Sequence, residues 1–168
     1  CEPNLNAIVQ RALKGGVSSL PAPPFMHGAA HWIAFNMWHI GGTVFVQSNT
    51  KKLDPEDIWE TIEREGITAL SIVGNAFATP LIDVFKNRAY NATTLRLITT
   101  GGAILSSSAK AAFHEILPDV KILDTLGSSE SGTQASQMSE AGKGAETAKF
   151  AILTDSAILN DSLNDEVK

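Results

Sequence analysis

Hydrophobic and polar positions along this chain follow two alternating patterns. The longer stretches repeat their apolar positions every three or four residues, as Ile58 and Ile62 do, which is typical of amphipathic helices. Between them lie short β-branched and apolar runs, typical of buried strands, at residues 43–46, 67–73, 95–100 and 120–126. Strands that alternate with helices in this way predict a mostly parallel sheet with right-handed crossovers.

Five segments are predicted to be helical. The clearest start is at Asp54, which can accept hydrogen bonds from free amide groups, with Pro55 at the first helical position and Gly66 as the stop. In the helix at 75–85, Pro80 predicts a kink or a late start. The other helices are predicted at 6–13, 29–40 and 109–117. The helix at 29–40 is apolar on every side, so we expect it to be buried.

The remaining segments are predicted as connections or short strands. Three prolines make 18–24 a connector, and 25–27 is predicted to be a strand end. Residues 134–149 are small and polar, whereas 150–153 and 157–159 resemble two short strands joined by a turn.

The whole pattern predicts one α/β sub-domain over residues 1–168. It has a mostly parallel sheet flanked by helices, with a short β-hairpin or small sheet at the C-terminal end. The core is expected at 17–132, and 133–168 holds the short strands and a loose acidic end.

Composition excludes several classes of protein. A net charge of −5 and a pI near 5.3 argue against nucleic-acid binding, which needs a basic face. The single cysteine, Cys1, excludes an internal disulfide and favours a reducing, cytoplasmic setting. Residues 15–50 carry no Lys, Arg, Asp or Glu, but histidines and the pair Gly41 and Gly42 interrupt them, so no transmembrane segment is predicted. A first residue other than Met suggests a piece of a longer protein.

Two glycine-containing turns follow neighbouring predicted strands. The first holds Gly101 and Gly102, and the second runs through Gly127 to Glu130. Ligands of open α/β sheets bind beyond the carboxyl ends of the strands, where glycines allow close approach to the backbone. The pair of turns therefore predicts a site for a flat, phosphorylated ligand, although each turn could also be a simple strand connection.

Glu130 is the candidate for cation binding. Its carboxylate follows a turn of small residues in which Ser128 and Ser129 offer donors to phosphate oxygens, an arrangement that suits Mg²⁺ held jointly with a nucleotide. Alternatively, Glu130 begins a solvated loop. A hydrolase that uses Ser129 is a further reading, but the segment lacks the second glycine of G-x-S-x-G. The sequence contains neither a Walker-type loop nor a dinucleotide fingerprint.

Histidines and aromatic residues cluster near the N-terminal third. His27, His31 and His39 invite a metal site, but no carboxylate lies near them, and we favour buried, hydrogen-bonded histidines. The aromatic set is interpreted first as core and second as the lining of an acyl-chain pocket; it consists of Phe25, Trp32, Phe35 and Trp38.

Four motifs in order resemble the middle of an AMP-forming acyl-CoA synthetase, a fatty-acyl-CoA ligase of the adenylate-forming superfamily. They are PFMH at 24–27, GGTV at 41–44, LRLI at 95–98 with GGA at 101–103, and LGSSE at 126–130. The resemblance runs from about residue 23 to residue 130 and continues weakly to the end.

This resemblance implies roles for individual residues. Ser129 would contact the α-phosphate and Glu130 would bind Mg²⁺, which makes these two the expected catalytic residues. The acyl group would lie beside His27, Gly74 and Asn75. The nucleotide would contact both glycine turns, at Gly101, Gly102, Ala103, Asp124, Thr125, Leu126, Gly127, Ser128 and Ser129.

The sequence departs from the family pattern at two positions and omits other motifs. Leu126 stands where an aromatic residue usually stacks on adenine, and Ser129 replaces a threonine. The phosphate loop is expected before Cys1, and the ribose-binding Asp, hinge and C-terminal Lys after Lys168. The resemblance implies that the whole enzyme would join ATP and a fatty or other apolar carboxylate into an acyl-adenylate and then transfer the acyl group to coenzyme A.

The fragment alone is expected to be inactive and to self-associate through surfaces that the remainder would cover. The main alternative is a non-catalytic α/β binding or interaction module, which the incomplete motif set favours.

Overall fold

The computed structural model describes residues 4–143, 146–164 and 166. Within these residues the chain forms five helices and a seven-stranded sheet. The helices are α1 (Leu5–Ala12), α2 (Gly28–His39), α3 (Pro55–Glu65), α4 (Gly74–Asn87) and α5 (Ser107–Ile116). The strands are β1 (Ser18–Pro21), β2 (Thr43–Val44), β3 (Ala69–Ile72), β4 (Leu97–Gly101), β5 (Lys121–Ser128), β6 (Gly132–Ser139) and β7 (Ala151–Ile152).

The strand order across the sheet is β2-β1-β3-β4-β5-β6-β7. The first five of these strands are parallel to their neighbours, whereas β6 and β7 are antiparallel. The predicted fold class is therefore confirmed. Because parallel strands end at one edge, the C-terminal residues of β3, β4 and β5 lie side by side.

The main hydrophobic core lies between the sheet and helices α3, α4 and α5. Its fully buried side chains include Trp59, Leu70, Leu81, Ile98 and Phe113. The indole nitrogen of Trp59 donates a hydrogen bond of 2.9 Å to the Leu81 carbonyl, so the one polar atom of this large side chain is satisfied inside the core.

Local capping signals place the helices as predicted. Asp54 caps α3, Pro55 is its first residue, and Gly66 ends it in the left-handed conformation with φ 63°. Ser106 caps α5 by accepting a hydrogen bond from the Ala109 amide. Helix α4 begins at Gly74 and continues past Pro80, so the proline does not delay its start.

The segment at 18–27 differs from its prediction. The connector expected at 18–24 contains β1, which lies inside the sheet between β2 and β3. Pro21 is tolerated because it is the last residue of β1, where the ladder is ending. The strand end expected at 25–27 is a turn that leads into α2.

Helix α2 is not buried on every side, which corrects the expectation for 29–40. It packs through small residues, with Ala30 and Ala34 buried, and its aromatic residues face outward. Trp32, Phe35 and Trp38 are 53%, 49% and 56% exposed. An alanine face is enough to seat a helix against a sheet, so apolar character all around it does not decide which face is covered.

The expectation of a buried strand at 43–46 is also corrected. Strand β2 covers only Thr43 and Val44 and forms the edge of the sheet, with Thr43 exposed and Val44 half-buried. The reason is its position: β2 has β1 on one side, and no further strand of the described residues lies on the other.

Only one of the two strands predicted for the C-terminal part is present: β7 lies within the predicted strand at 150–153. Part of the segment predicted to be irregular, 134–149, is β6, which pairs with β5, and β7 then pairs with β6. Leu159 makes only an isolated bridge to Glu166, so 157–159 is not a strand of the sheet. The pattern of β6 was missed because its buried positions hold small residues, Ala135 and Ser139. The expected loose end falls partly on residues 165, 167 and 168, outside the described residues.

No helix within the described residues is both long enough and apolar enough to cross a membrane.

His114 supplies a test of the packing around α5. Both of its ring nitrogens are buried without a hydrogen-bond partner, and burial lowers the pKa of the imidazole, while the nearby Glu140 carboxylate acts weakly in the opposite direction. Below the ordinary histidine pKa of about 6.5, the unfolded chain therefore binds more protons than the folded chain, and stability is lost as pH falls.

We predict that His114→Leu makes the free energy of unfolding less dependent on pH between about 7.5 and 5.5. Glu140 does not titrate in this window, because hydrogen bonds and charge from Lys121 and Lys143 lower its pKa to about 2. Urea unfolding of both proteins at the two pH values is the measurement. A variant that keeps the wild-type slope contradicts the prediction.

Candidate functional site

A cleft of about 790 Å³ lies at the carboxyl ends of β3, β4 and β5. Helix α2 forms one wall, and the hairpin made by β5 and β6 forms the other. Both predicted glycine turns reach it. Its lining residues are Gly28, Ala29, Trp32, Ile33, Asn36, Ser71, Ile72, Thr99, Thr100, Gly101, Gly102, Leu123, Thr125, Gly127, Ser128, Ser129, Glu130, Ser131, Gly132 and Thr133.

The first turn is shaped by a close approach between β4 and β5. Gly101 lies in register with Thr125, and a Cβ atom on Gly101 would come within 2.5 Å of the Thr125 hydroxyl oxygen. That hydroxyl donates a 2.9 Å hydrogen bond to the Thr100 carbonyl. Gly102 follows with φ +77°, a conformation that favours glycine. The backbone of this turn is consequently open to the cleft.

Hydroxyl groups form the floor of the cleft. The side-chain oxygens of Ser71 and Thr99 lie 2.7 Å apart across β3 and β4. Thr99, Gly101 and Thr125 share this face of the sheet because side chains alternate between faces along a strand. No motif in the sequence had marked Ser71 or Thr99 as residues of the site. The alternation of Thr99 with buried Ile98 was the available signal for this face.

The second turn is the tip of a hairpin, not a loop leading away from a strand end. Strand β5 continues to Ser128, and β6 returns from Gly132. A Cβ on Gly127 would lie 2.1 Å from the Gly132 carbonyl oxygen, so only glycine fits where the ladder is irregular. The Ser128 hydroxyl accepts from the Ser131 amide, which closes the tip.

Ser129 and Glu130 are exposed at this tip and both line the cleft. The Glu130 backbone amide and the Ser128 hydroxyl donate hydrogen bonds that lower the pKa of the Glu130 carboxyl below its ordinary value. The side chain is thus a carboxylate at neutral pH. Glu130 is thus an exposed carboxylate beside the cleft, and its role in ligand binding stays a prediction.

The donor set around Glu130 fits Mg²⁺ as part of a larger complex. Its neighbours on the tip offer hydroxyl oxygens, the hard ligands that this ion prefers. Within the described part of the chain, no group of three His, Cys, Asp or Glu residues could hold a metal ion alone. Glu130 would therefore bind the ion jointly with ligand phosphates and water.

Helix α2 approaches the hairpin tip at Gly28. A Cβ there would come within 2.8 Å of Trp32 Cδ1 and 3.2 Å of the Ser129 hydroxyl oxygen. Further along the helix, Trp32 and Ile33 add an apolar wall that also includes Ile72 of β3. No pattern in the sequence had marked Gly28, because its importance comes from a neighbour one hundred residues away.

Gly74 and Asn75, expected at the acyl group, instead support the first turn. The Asn75 amide donates to the Ile104 carbonyl at 2.9 Å, and its side-chain oxygen accepts from the Ser106 amide at 3.0 Å. A Cβ on Gly74 would contact Ala103 at 2.8 Å. The two residues hold the 101–106 segment in place and do not line the cleft.

None of His27, His31 and His39 is buried. His27 is exposed immediately before α2, next to cleft residue Gly28, and makes no capping hydrogen bond with its side chain. His31 and His39 are hydrogen-bonded to the carbonyls of Phe25 and Phe35, but they lie near or at the surface. The prediction that these histidines are buried is therefore wrong, whereas His31 and His39 are hydrogen-bonded as expected.

Asp124 and Leu126 belong to the opposite face of β5. Asp124 is buried and forms an ion pair of 2.9 Å with Lys110, whereas Leu126 is 53% exposed. Neither lines the cleft, and neither does Ala103. Since side chains alternate along β5, the cleft receives Leu123 and Thr125 instead.

The hydrolase reading of Ser129 gains no support. The described cleft residues include no histidine that could activate a serine hydroxyl.

The fold and the cleft define a class: an α/β ligand-binding protein whose strand ends present glycine turns, hydroxyl groups and one carboxylate. The family model described as "AMP-binding enzyme" matches residues 5–167, and the chain belongs to this family. The membership in the adenylate-forming superfamily that the motifs had indicated is confirmed.

Two curated relatives are named as acyl-CoA ligases. The chain is 36% identical over 140 residues to "Medium-chain acyl-CoA ligase Mig" of Mycobacterium avium, covering 83% of this chain and 26% of that protein. It is 29% identical over 153 residues to a "Medium/long-chain-fatty-acid--CoA/3-oxocholest-4-en-26-oate--CoA ligase" of Mycolicibacterium smegmatis, covering 88% and 27%. The chain thus spans about a quarter of these relatives.

Solved structures share the fold. The N-terminal subdomain of Klebsiella oxytoca NpsA, in complex with 3-hydroxybenzoyl-AMSN, superimposes with a TM-score of 0.67 at 13% identity, covering 88% of this chain and 38% of that one. A luciferase-like enzyme from the Zophobas morio mealworm gives a TM-score of 0.62 at 21% identity, covering 77% and 31%.

The contact between Gly101 and Thr125 generates a prediction. Gly101→Ala should destabilise the chain by about 1–3 kcal/mol, because the added methyl group overlaps the Thr125 hydroxyl. Adding Thr125→Ala should recover part of this loss, with a coupling of at least about 0.5 kcal/mol. Urea unfolding of the two single variants and the double variant completes the cycle. Strictly additive effects contradict the proposed overlap.

Proposed function

We propose that the whole protein is an AMP-forming acyl-CoA ligase. It would join an apolar carboxylate, such as a fatty acid, to ATP with release of pyrophosphate, and then transfer the acyl group from the adenylate to coenzyme A. One observation carries the proposal for this chain: Gly101 and Gly102 share a single cleft with Ser129 and Glu130. Family membership and the names of the curated relatives support the reaction type.

The nucleotide would lie between the two glycine turns. The open backbone at Gly101 and Gly102 suits the flat face of adenine, whereas Ala103 follows them outside the lining of the cleft. Ser129, which follows Gly127 and Ser128 at the tip, offers a hydroxyl donor to the α-phosphate, whereas the hydroxyl hydrogens of Thr125 and Ser128 are already donated to the Thr100 carbonyl and the Glu130 carboxylate. Leu126 stands where an aromatic ring would stack on adenine, but it lies on the opposite face of β5 from Thr125 and outside the lining of the cleft, so we expect it to contribute little to nucleotide binding.

The proposed role of Glu130 is electrostatic. Charge develops on the α-phosphate as pyrophosphate leaves, and preorganised charges are the largest stabilising contribution in such transfers. When bound, Mg²⁺ supplies positive charge to the phosphates. Glu130 would help to hold that ion, and its lowered pKa keeps it in the ionised form that a hard cation requires.

The acyl group would occupy the apolar side of the cleft. Trp32, Ile33, Ile72 and Leu123 are the large apolar side chains that line the cleft. Their character supports an apolar carboxylate as the substrate. His27 stands next to the start of this wall, while Gly74 and Asn75 would act on the acyl group only indirectly, through the turn that they support.

The chain itself would supply the adenylate-binding part of such a ligase. Because it spans about a quarter of its curated relatives, we expect it to bind nucleotide without releasing pyrophosphate. The alternative is a non-catalytic binding module, which gains support if ATP with Mg²⁺ and acyl-adenylate mimics all fail to bind.

The single cysteine supports a cytoplasmic location.

Glu130→Gln tests the assigned site. The variant keeps the shape of the side chain but removes its charge, so we predict at least about a tenfold loss of affinity for ATP in the presence of Mg²⁺ and a smaller loss in its absence. Isothermal titration with and without Mg²⁺ is the measurement. The matched control is Glu115→Gln, which removes an exposed carboxylate on α5 and should leave both affinities unchanged. Equal losses with and without the ion would argue against metal binding.

The exposed aromatic face of α2 supports self-association of the chain. Phe35 and Trp38 are in edge-to-face contact, and both are about half exposed. We predict that the chain forms concentration-dependent oligomers and that Phe35→Glu combined with Trp38→Glu abolishes them, because each charge would have to be desolvated in the interface. Sedimentation velocity over a range of concentrations is the measurement. A monomeric wild-type chain at high concentration contradicts this.

A further inference from the structure

A completely buried lysine lies on the side of the sheet opposite the cleft. The side chain of Lys110, in the first turn of α5, is 0% exposed, and lysine is rarely so deeply buried unless it is paired. Its ammonium group lies 2.9 Å from the Asp124 carboxylate and donates to the Gln137 side-chain oxygen and to the Glu146 carbonyl, the last at 3.2 Å. An ammonium has three N–H donors, so all three have an acceptor.

Two of these acceptors belong to the base of the hairpin formed by β5 and β6. Asp124 and Gln137 lie directly opposite each other in the ladder between β5 and β6. Strand β4 accompanies β5 only one residue further, to the pair Gly101 and Thr125. Beyond that point β5 and β6 extend toward the tip without β4, and β7 accompanies β6 only as far as Ala135 and the Gln134 carbonyl, so the last part of the hairpin is two-stranded. A two-stranded ribbon is marginally stable by itself, so its direction depends on how its base is held.

The same lysine also connects the hairpin to the first turn of the cleft. Helix α5 begins directly after the 101–106 segment, and Asn75 fixes its cap residue, Ser106, to the start of α4. The ammonium group of Lys110 therefore connects helix α5, which follows the Gly101 turn, to strands β5 and β6, whose hairpin tip holds Ser129 and Glu130. The Glu146 segment is tied to the same place, since Thr147 accepts a hydrogen bond from the Ser107 amide.

Stability alone does not require this arrangement. Desolvating a buried ion pair is costly, and replacing such a pair with apolar residues of similar volume is often neutral or stabilising. A buried polar network in which every group is hydrogen-bonded fixes the geometry of the elements that it connects. We propose that Lys110, Asp124 and Gln137 are positioning residues that hold the hairpin tip, and with it Ser129 and Glu130, at the cleft. Their effect on ligand binding rests on the proposed function.

The test uses Lys110→Met combined with Asp124→Leu, because removing one partner alone would leave a buried charge and disturb folding. We expect this double variant to keep or exceed the thermal midpoint of the wild-type chain. Hydrogen exchange at residues 127–132 should become at least about tenfold faster. Affinity for ATP with Mg²⁺ should fall by roughly 10–100-fold, as when residues that orient metal ligands are replaced in other proteins.

A second variant and a control make the outcome decisive. Gln137→Met keeps the ion pair and removes only the link to β6, so it should speed exchange at the tip even if the double variant does not fold. The control, Lys86→Met with Glu115→Gln, removes an exposed ion pair between α4 and α5 and should change neither readout.

Unchanged exchange at 127–132 in the folded variants would overturn the proposal. Faster exchange with unchanged affinity in a chain that binds ATP would overturn it as well, because the order of the tip would then not matter to the site. If the wild-type chain binds no ATP with Mg²⁺, the proposed function fails, whereas the exchange readout still decides whether the network holds the tip.

Discussion

The parallel ladder between β4 and β5 is the constraint on which the site depends. It places Gly101 opposite Thr125, whose side-chain hydroxyl leaves no room for a Cβ atom at position 101. The missing side chain opens the backbone to a ligand at the point where both strands end. A parallel sheet buries apolar residues on its helix-covered faces, so its strand ends are where exposed polar groups can gather without loss of core.

Around this point, the cleft is assembled from segments that are far apart in sequence. Gly28 brings the start of α2 against Ser129, and the irregular ladder at Gly127 allows the hairpin to turn toward the helix. Each contact depends on the absence of a side chain. Small residues therefore do more to shape this site than large ones, whose contribution is mainly the apolar wall at Trp32 and Ile33.

Two carboxylates near the end of β5 lie in different environments. Asp124 is within the strand and is paired with Lys110 in the packed interior. Glu130 lies beyond Ser128, the last residue of β5, and is exposed at the hairpin tip beside the cleft. The turn that follows β5 thus carries the second carboxylate out of the interior, although the two residues are only six positions apart.

The sequence by itself determined the fold class, most helix boundaries and the two turns that meet at the cleft. These features follow from local chemistry: Asp54 and Gly66 delimit α3 through hydrogen bonds and a left-handed backbone, and buried strands need apolar runs. The family also followed from residues in order, since Gly101 and Glu130 lie in recognisable motifs. Only the tertiary structure decided the rest. Packing placed β1 inside the sheet despite Pro21, exposed the aromatic side of α2, and turned the polar residues after Gly132 into β6. Each outcome depends on which partner a segment finds across the fold, and no local pattern contains that information.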